Sequence, residues 1–343
     1  MALIRSMQVD APSAELHLVE GEAPDPGYGE VRIAVEASGV CHSDGAFVAG
    51  QLPGLTFPVT PGHEIAGRID AVGEGVRGWR SGDRVAVGWF GGYCTYCNPC
   101  RHGDFVHCEH AQLPGLSYPG GYADAVVVPA TALARIPESM SAVQAAPMAC
   151  AGVTVFGALR RSSARPGALV AIVGLGGLGH LAVQFAAKMG LDTVVVARGR
   201  EKAPLAAELG ARHYIDSTEQ DVTAELRRLG GARIVIATAA NSEAMARTLD
   251  GIAPNGELMV VGVDTEPMPI SPLQLITPAR SVHGHPSGSP ADIEDTMAFA
   301  ALTGVRALVE ELPLEQAGTA FERMMKNQAR FRMVLTTGAA KAS

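Results

Sequence analysis

Four cysteines lie close together in the stretch YCTYCNPCRHGDFVHC, which has the spacing Cys-x2-Cys-x2-Cys-x7-Cys. Zn²⁺ prefers a tetrahedron of four thiolates, and sulfurs so near in sequence can surround one ion without strain. A ferredoxin-type cluster would place the fourth cysteine four positions after the third, followed by proline. Here it comes eight positions later, and Glu109 follows it. The sequence predicts a closed structural zinc site in a lobe of residues 91–110, with the ligands Cys94, Cys97, Cys100 and Cys108.

Two other interpretations of this lobe remain open, namely disulfides and free thiols. Closely spaced cysteines in a long chain favour the metal site over both. Three histidines lie nearby, and we interpret them as surface residues because four sulfurs complete the zinc shell: His102, His107 and His110.

The two remaining cysteines indicate a second site of a different kind. Cys41 opens the run CHSD, which holds a thiol, an imidazole, a hydroxyl and a carboxylate, and Cys150 lies far along the chain. The stretch PGHE adds His63 and Glu64 on a turn. Two thiolates and an imidazole from separate segments leave the fourth zinc position open, which is typical of a catalytic ion. We predict that Cys41, His63 and Cys150 bind a catalytic zinc, the alternative being that His63 is an ordinary turn histidine.

Two kinds of sequence must position these groups. Residues 1–150 carry short β-branched runs broken by glycine and proline, which predict strands of an antiparallel, barrel-like region. From about residue 152, buried strands such as LVAIV alternate with helices such as GGLGHLAVQFAAKMG, which predicts a parallel sheet. After about residue 286, two helices and a closing strand, RFRMVLTT, follow. The α/β segment is therefore predicted to be inserted between two parts of another domain.

A glycine-rich turn between a strand and a helix predicts a dinucleotide site. Gly174, Gly176 and Gly179 follow LVAIV and open the next helix. Glycines let the backbone approach a pyrophosphate, and the helix N-terminus offers free N–H groups and the positive end of the helix dipole. The alternative is that these glycines serve packing alone.

The ordered set of motifs resembles the zinc-dependent medium-chain alcohol dehydrogenases nearly from end to end. GVCHSD, PGHE, the four-cysteine lobe, CAGVT, GLGGLG and RFRMVL occur in that family's order. CAGVT and GGYAD are most similar to its yeast-type and cinnamyl-alcohol-dehydrogenase branches. The resemblance implies an α/β fold in which a Rossmann doubly wound parallel sheet, residues 152–286, is inserted in a GroES-like β-barrel catalytic domain, residues 1–151 and 287–343.

The resemblance also implies a role for each residue near the predicted catalytic zinc. Ser43 would take the substrate's proton, and His42 would contact the cofactor diphosphate. Asp44 would orient the zinc-bound His63, a role that neighbours of metal ligands commonly fill. Glu64 would lie close behind the zinc as a further member of the ligand set.

The proton route departs from the family at one position. Ala46 stands where many relatives have a histidine that passes the proton to solvent, so water or another route must replace it. For Ser43 itself, a turn hydroxyl bonded to its own backbone is the alternative.

Further residues are assigned to the cofactor and the substrate by the resemblance. Thr154 would pack against the nicotinamide and Arg332 would contact the diphosphate. The substrate channel would be lined by Leu52 and Trp89, although Trp89 could be simple core. The full set of implied cofactor contacts adds the glycine turn and the loop after a later strand: Gly174, Gly176, Gly177, Leu178, Gly179 and Val263.

The end of the second α/β strand bears on the choice of cofactor. NAD-binding chains place Asp or Glu here to bind the ribose hydroxyls, but the position falls at Ala197 in VVVARGREK. NAD would lose a charged hydrogen bond worth about 1.5–3 kcal/mol, whereas Arg198 or Arg200 could pair with a 2′-phosphate. We predict a preference for NADP(H), with NAD(H) as the alternative if both arginines are solvated loop residues.

These features together predict reversible oxidation of an alcohol to an aldehyde or ketone, with about two zinc ions per chain. A tryptophan and a leucine in the channel favour primary aliphatic, allylic or aromatic alcohols. An aldehyde reductase of the cinnamaldehyde type is one alternative. A non-catalytic NADPH-binding protein on the same scaffold is the other.

Composition bears on partners and location. The net charge is −8, from 27 basic and 35 acidic residues without a basic stripe, so nucleic-acid binding is not expected. The uncharged run 166–187 is interrupted by glycines and a histidine, which favours a strand–turn–helix over a membrane span. The N-terminus lacks the pattern of a secretory signal, so we expect a cytoplasmic protein. The resemblance implies a homo-oligomer, a tetramer or else a dimer, that acts on a small molecule.

Overall fold

The computed structural model describes residues 3–338 of the chain. Residues 1–2 and 339–343, which the sequence assigns to the catalytic domain, lie outside the described residues. The strands in chain order are β1 (Leu3–Gln8), β2 (His17–Glu22), β3 (Glu30–Val40), β4 (Glu64–Val72), β5 (Arg84–Val87), β6 (Ala125–Pro129), β7 (Ala134–Arg135), β8 (Leu169–Val173), β9 (Asp192–Ala197), β10 (His213–Asp216), β11 (Ala232–Ala237), β12 (Ile252–Val260), β13 (Ser281–Gly284), β14 (Val309–Pro313) and β15 (Arg332–Thr336).

The helices connect these strands or cover the sheets. In chain order they are α1 (Asp44–Val48), α2 (Asn98–Arg101), α3 (Ala142–Pro147), α4 (Val153–Arg161), α5 (Gly179–Lys188), α6 (Ala203–Glu208), α7 (Val222–Arg228), α8 (Ser242–Thr248), α9 (Pro272–Ile276), α10 (Pro290–Thr303) and α11 (Ala317–Met325). A π-helical turn, Met148–Gly152, joins α3 to α4.

The chain divides into two compact units. Within the described residues, the first unit comprises 3–153, 287–302 and 307–338, and the second comprises 154–286 and 303–306. The divisions after residues 153 and 286 compare with the sequence boundaries placed after residues 151 and 286. The second unit is thus an insertion in the first.

The second unit is built on a six-stranded sheet in the order β10-β9-β8-β11-β12-β13. Every neighbouring pair is parallel. Counted from β8 this is the order 3-2-1-4-5-6 of a Rossmann sheet. All five residues of β8 are buried, as expected for a strand whose sheet is covered on both faces. The run LVAIV forms β8 and the glycine-rich segment opens α5, so the predicted strand–turn–helix is confirmed.

The first unit contains a mostly antiparallel sheet in the order β14-β15-β3-β4-β5-β7, with β6 also paired to β3. β3 is the central strand, because it pairs antiparallel with β15, β4 and β6. Alternating residues of β3 and its neighbours fill the core on one side, as the period of a strand requires. The core includes Val31, Ile33, Val35, Ile65, Ile69, Val85, Val87, Val126 and Val128.

One continuous helical segment, Ala142–Arg161, is long and apolar enough by length and composition to cross a membrane. It contains α3, the π-helical turn and α4. In the most apolar 18-residue window of this segment, 83% of the residues are buried, which is the pattern of a core helix.

Candidate active site

The four residues predicted to surround a catalytic ion converge in the first unit. The thiols of Cys41 and Cys150, a ring nitrogen of His63 and a carboxylate oxygen of Glu64 all lie within 4.8 Å of one another. His63 and Glu64 are fully buried, Cys41 is buried, and Cys150 is partly buried. Folding therefore brings together residues from three separate segments. We call this set the dispersed donor group.

The ends of buried elements position these side chains. Cys41 directly follows β3, and Glu64 begins β4, where it is paired with Gly39 of β3. A Cβ atom on Gly39 would lie 2.0 Å from a carboxylate oxygen of Glu64, so this position requires glycine. Cys150 lies on the π-helical turn after Pro147, and such turns occur frequently at functional sites.

Asp44, the first residue of α1, connects two members of the group. Its fully buried carboxylate accepts hydrogen bonds from the Cys41 backbone N–H, from Nδ1 of His63 and from the Tyr122 hydroxyl, each at 2.9 Å. Because a carboxylate only accepts, Nδ1 carries a proton in this bond. A neutral His63 ring then keeps an unprotonated Nε2, which is the form that binds a metal.

The negative charges of Asp44 and Cys41 favour a positive charge at the His63 ring. Burial lowers the pKa of His63, but the charges of Asp44 and Cys41 raise it well above its usual value. The hydrogen bond with Cys150 is the largest cause that lowers the pKa of the Cys41 thiol well below its usual range, although burial opposes it. A thiolate is the form of cysteine that binds zinc.

Zinc fits this group on chemical grounds. Among residues 3–338, Nε2 of His63 and Oε2 of Glu64 are buried polar atoms without a hydrogen-bond partner. Leaving a buried polar group unpaired costs about 1–3 kcal/mol. A cation bound between these two atoms would give both of them a partner. Two sulfurs, one imidazole nitrogen and a carboxylate oxygen all belong to the donor types of Zn²⁺.

Glu64 also belongs to a buried ion pair. Arg332, the first residue of β15, is 4% exposed, and its guanidinium donates to Oε1 of Glu64. Burial raises the pKa of Glu64 to about 7, and Arg332 opposes that rise. The sequence assigned Arg332 to the cofactor diphosphate, and that contact stays a prediction. In the described structure its guanidinium pairs with the Glu64 carboxylate.

Aromatic side chains border the dispersed donor group. The rings of Trp89 and His63 meet edge to face, with centroids 4.9 Å apart and an interplanar angle of 84°. Phe47, fully buried on α1, lies edge-on to Trp89 at 5.8 Å. Trp89 is only partly buried, so it lies beside a predicted zinc ligand without belonging wholly to the core. Leu52 is partly buried in the loop after α1.

The remaining residues of the CHSD run lie at the surface of this group. Ser43 is partly buried at the N-terminus of α1, and its side chain does not cap the helix. The hydroxyl is therefore not used to satisfy the first turn of that helix. His42 is exposed, and Ala46 is partly buried within α1.

The four cysteines of the lobe form a second donor group. The sulfurs of Cys94, Cys97, Cys100 and Cys108 lie within 4.8 Å of one another. Backbone N–H groups of the same stretch point at them, from Cys94 to Cys108 Sγ at 3.3 Å and from Cys97 to Cys94 Sγ at 3.3 Å. Tyr93 and Phe105 stack beside them at 4.3 Å. The four sulfurs are thus close enough to surround one ion, and the structural zinc itself stays a prediction.

The glycine turn of the second unit is tightly packed at Gly179 and open at Gly176. Gly174 has φ +96°, and a Cβ atom on Gly179 would lie 1.9 Å from the Gly174 carbonyl oxygen. At Gly176 no atom lies within 4 Å of a built Cβ, so the backbone there faces open space. Thr238, after β11, donates to the Val173 carbonyl at 2.8 Å and joins the ends of β8 and β11. These are the carboxyl ends at the switch point of the sheet, where dinucleotides bind.

The loop after β9 carries the two predicted phosphate-binding arginines. Arg198 and Arg200 are both exposed, and Arg200 lies 3.4 Å from Glu219 in a surface ion pair. Ala197 ends β9, so no carboxylate stands at the usual ribose-binding position. The Gly199 backbone between the arginines is held on both sides, since its N–H donates to Asp216 at 2.9 Å and its carbonyl accepts from Tyr214 at 2.6 Å.

The other predicted cofactor residues lie in the second unit. Thr154 is buried at the start of α4, Gly177 and Leu178 complete the glycine turn, and Val263 is 78% exposed after β12. Sequence reasoning missed Lys202, whose amine lies 3.4 Å from the Leu175 carbonyl on the glycine turn. The sequence signal for it was a lysine five residues after the end of β9, the second strand of the α/β segment.

Tyr122 is the second residue that sequence reasoning missed. It belongs to GGYAD, one of the stretches that carry the family resemblance, and its hydroxyl donates to Asp44, 78 positions away in the chain. The two glycines before it were the available signal, because they indicate a close approach between two backbones.

Two family descriptions match the chain. Residues 27–138 match "Alcohol dehydrogenase GroES-like domain", and residues 177–301 match "Zinc-binding dehydrogenase". The chain is 43% identical over 313 residues to alcohol dehydrogenase notN of Aspergillus sp. (strain MF297-2), and the match covers 91% of each chain. Together with the two large sheets, one in each unit, these matches confirm the predicted fold class.

Solved structures agree with this assignment. Cinnamyl alcohol dehydrogenase SbCAD4 of Sorghum bicolor superposes with a TM-score of 0.89 at 31% identity, over 100% of this chain and 99% of that one. CAD of Helicobacter pylori, solved with NADP(H), gives a TM-score of 0.87 at 25% identity, over 100% and 99%. The chain belongs to the zinc-binding alcohol dehydrogenases of the medium-chain family.

Proposed function

We propose that this zinc-dependent alcohol dehydrogenase holds its catalytic zinc with Cys41, His63 and Cys150, and keeps Glu64 behind them as a further donor. The observation that supports this most strongly is the convergence of the four donor atoms within 4.8 Å, with Nε2 of His63 buried and unpaired. The lobe cysteines would hold a second, structural zinc. With Glu64 held by Arg332, the three ligands Cys41, His63 and Cys150 leave a fourth position open for a substrate oxygen.

The residues around the open position have distinct tasks in alcohol oxidation. When bound, zinc supplies a Lewis acid for the substrate oxygen, and the nicotinamide supplies or accepts the hydride. The Ser43 hydroxyl, which is not engaged in capping α1, takes the proton from the substrate hydroxyl. Asp44 holds His63 in one orientation through Nδ1. Because Ala46 offers no proton acceptor, the proton on Ser43 passes to water.

Substitution of Ser43 tests this proton route. Ser43→Ala should lower kcat for alcohol oxidation by about 10²–10⁴-fold, the range for loss of a general acid–base group, with zinc content unchanged. Ser43→Thr keeps the hydroxyl and should restore much of the rate. Wild-type turnover in Ser43→Ala would remove Ser43 from the mechanism.

NADP(H) is the proposed cofactor. The support is the neutral Ala197 at the end of β9, the two exposed arginines in the next turn, and the NADP(H) complex of the Helicobacter pylori relative. Arg198 is the first candidate for the 2′-phosphate, because Arg200 already has a partner in Glu219.

Kinetics with the two cofactors test the preference. Arg198→Ala should lower kcat/KM for NADPH by about 10–100-fold, since a charge-assisted hydrogen bond is worth about 1.5–3 kcal/mol, and should leave NADH nearly unaffected. Arg212→Ala removes another exposed arginine of the same unit and serves as the control. A wild-type preference for NADH would overturn the proposal.

For the substrate we propose a primary aliphatic, allylic or aromatic alcohol, or the matching aldehyde. The half-buried Trp89 ring beside His63 supports a flat apolar group. The likeness to a cinnamyl alcohol dehydrogenase favours aldehyde reduction of the cinnamaldehyde type as the second candidate. A panel of alcohols and aldehydes assayed in both directions separates the two.

We propose a cytoplasmic homo-oligomer, a tetramer or else a dimer. None of the six cysteines, all of which lie in the described part of the chain, forms a disulfide, and each belongs to one of the two donor groups. Thiols kept for metal binding suit a reducing compartment. Light scattering of the purified protein measures the oligomeric state.

A further inference from the structure

Tyr122 is linked to the dispersed donor group through Asp44 and is not itself one of its donors. Its side chain is fully buried, and its hydroxyl donates to Oδ2 of Asp44 at 2.9 Å. The same oxygen accepts the backbone N–H of Cys41, while Oδ1 accepts from His63 Nδ1. One buried carboxylate thus contacts two of the proposed zinc ligands and one tyrosine.

The segment that contains Tyr122 is hydrogen-bonded through its backbone to the turn that precedes His63. Gly120 N–H donates to Thr60 at 2.8 Å, and Gly121 N–H donates to Gly62 at 2.8 Å. Tyr122 N–H donates to the Pro61 carbonyl at 3.0 Å. Residues 120–122 therefore bond to all three residues of 60–62, the segment that directly precedes His63.

Glycines allow this close approach. A Cβ atom on Gly120 would lie 2.4 Å from the Pro61 carbonyl oxygen, and one on Gly62 would lie 2.4 Å from the Tyr122 ring. Gly62 also has φ +106°, a backbone conformation that side-chain-bearing residues rarely adopt. The tyrosine ring thus packs directly on the turn, and its hydroxyl reaches Asp44 from a fixed direction.

A buried carboxylate keeps one orientation when its oxygens have fixed donors. Without the Tyr122 hydroxyl, Oδ2 of Asp44 would keep only the Cys41 N–H, and the carboxylate could turn about its Cβ–Cγ bond. Such a rotation would alter the bond to His63 Nδ1, which sets the tautomer and ring orientation of that ligand.

We propose that Tyr122 is a positioning residue that fixes His63 as a zinc ligand through Asp44. The proposal rests on the proposed catalytic zinc. Tyr122 acts on the ring of His63 and on the retention of the ion, and makes no contact with substrate.

Tyr122→Phe in the zinc-loaded enzyme tests this role, because it removes the hydroxyl and keeps the ring. Zinc release to 4-(2-pyridylazo)resorcinol should show a catalytic-zinc phase about 10-fold faster than in the wild type, the lower end of the effect of losing a partner of a metal ligand. The structural-zinc phase should keep its rate. With cobalt at the catalytic site, the visible bands should shift.

Tyr118→Phe is the matched control. Tyr118 is another tyrosine of the first unit, and its hydroxyl donates at 2.6 Å to a backbone carbonyl, that of Gly91, away from Asp44. It should lose comparable stability and leave catalytic-zinc release and the cobalt bands unchanged.

The outcomes separate the inference from the proposed function. If Tyr122→Phe releases catalytic zinc at the wild-type rate with unchanged cobalt bands, Tyr122 only packs and the inference is wrong. If Tyr118→Phe accelerates release equally, the effect is general loosening and the inference is also wrong. If the wild-type enzyme shows no second zinc to release, the proposed function itself fails.

Discussion

The first unit contains two metal-donor groups that are built in opposite ways. The lobe takes four sulfurs from residues 94–108, and backbone N–H groups of that stretch stabilise them. The dispersed donor group takes its atoms from the ends of β3 and β4 and from the π-helical turn. Its support comes from side chains, namely Asp44, Tyr122 and Arg332.

This difference explains which group can do chemistry. Four thiolates from one short segment complete a shell, so the lobe gives an ion no open position and can only contribute stability. The dispersed group has one imidazole and two sulfurs beside the partly buried Trp89. Its geometry depends on the folded first unit as a whole, which lets surrounding residues tune it.

The largest expected effect comes from removing a sulfur of the dispersed group. Cys150→Ala should lower kcat by about a thousandfold or more, because a Lewis acid contributes several kcal/mol to the transition state. Zinc content should fall by about one ion per chain, with the melting temperature nearly unchanged. Turnover near the wild-type level would show that the two groups do not differ in function.

The corresponding change in the lobe should affect stability instead. Cys100→Ala removes from α2 a buried sulfur that is proposed to bind the structural zinc, and we expect a loss of several kcal/mol and a fall in melting temperature of roughly 10 °C. Activity measured well below that temperature should stay within a few-fold of the wild type. Arg101→Ala, an exposed neighbour on the same helix, is the control. An unchanged melting temperature together with lost activity would reverse the assignment of the two groups.

The buried ion pair offers the next test, because only the dispersed group relies on one. Arg332→Met leaves the Glu64 carboxylate buried without its partner, and should cost about 3–5 kcal/mol of unfolding free energy. The double variant Arg332→Met/Glu64→Gln should recover much of that loss. Arg247→Met breaks an exposed pair with Glu243 and should cost about 0.3–0.5 kcal/mol. Equal effects of Arg332→Met and Arg247→Met in denaturant unfolding would contradict the importance of the buried pair.

The smallest effect is expected for the histidines of the lobe. His107 is 67% exposed and contacts Asp104 at 2.8 Å. Because four sulfurs complete the shell, His107→Ala should change stability by less than about 0.5 kcal/mol and leave zinc content unchanged. Loss of zinc in metal analysis of this variant would show that the lobe is not an all-sulfur site.

Local features were predictable because their determinants are local. The spacing of Cys94 to Cys108 limits how far the sulfurs can separate, and the structure brings them together. LVAIV forms β8, and the glycines after it lead into α5. Both could be predicted because a short apolar run and the glycines that follow it determine the local backbone by themselves. Cys41, His63 and Cys150 could be gathered only by composition and resemblance, because nothing in their spacing requires contact.

Contacts between distant segments escaped the sequence. Glu64 and Arg332 are 268 positions apart, and Asp44 and Tyr122 are 78 apart, so no periodicity links either pair. The π-helical turn that contains Cys150 was also not predicted. Residue propensities do not distinguish a regular α-helix from a π-helical turn in the residues after Pro147. The sequence predicted the insertion of the α/β segment. It did not predict that residues 303–306 belong to the second unit, because no local pattern in those residues indicates it.

Zinc analysis of the purified wild type beside Cys41→Ala tests the central claim most directly. The wild type should contain about two zinc ions per chain, one for each donor group. Cys41→Ala should contain about one and be inactive while remaining folded. A wild type with about one zinc, or a Cys41→Ala variant that retains two, would contradict a catalytic zinc held by Cys41, His63 and Cys150.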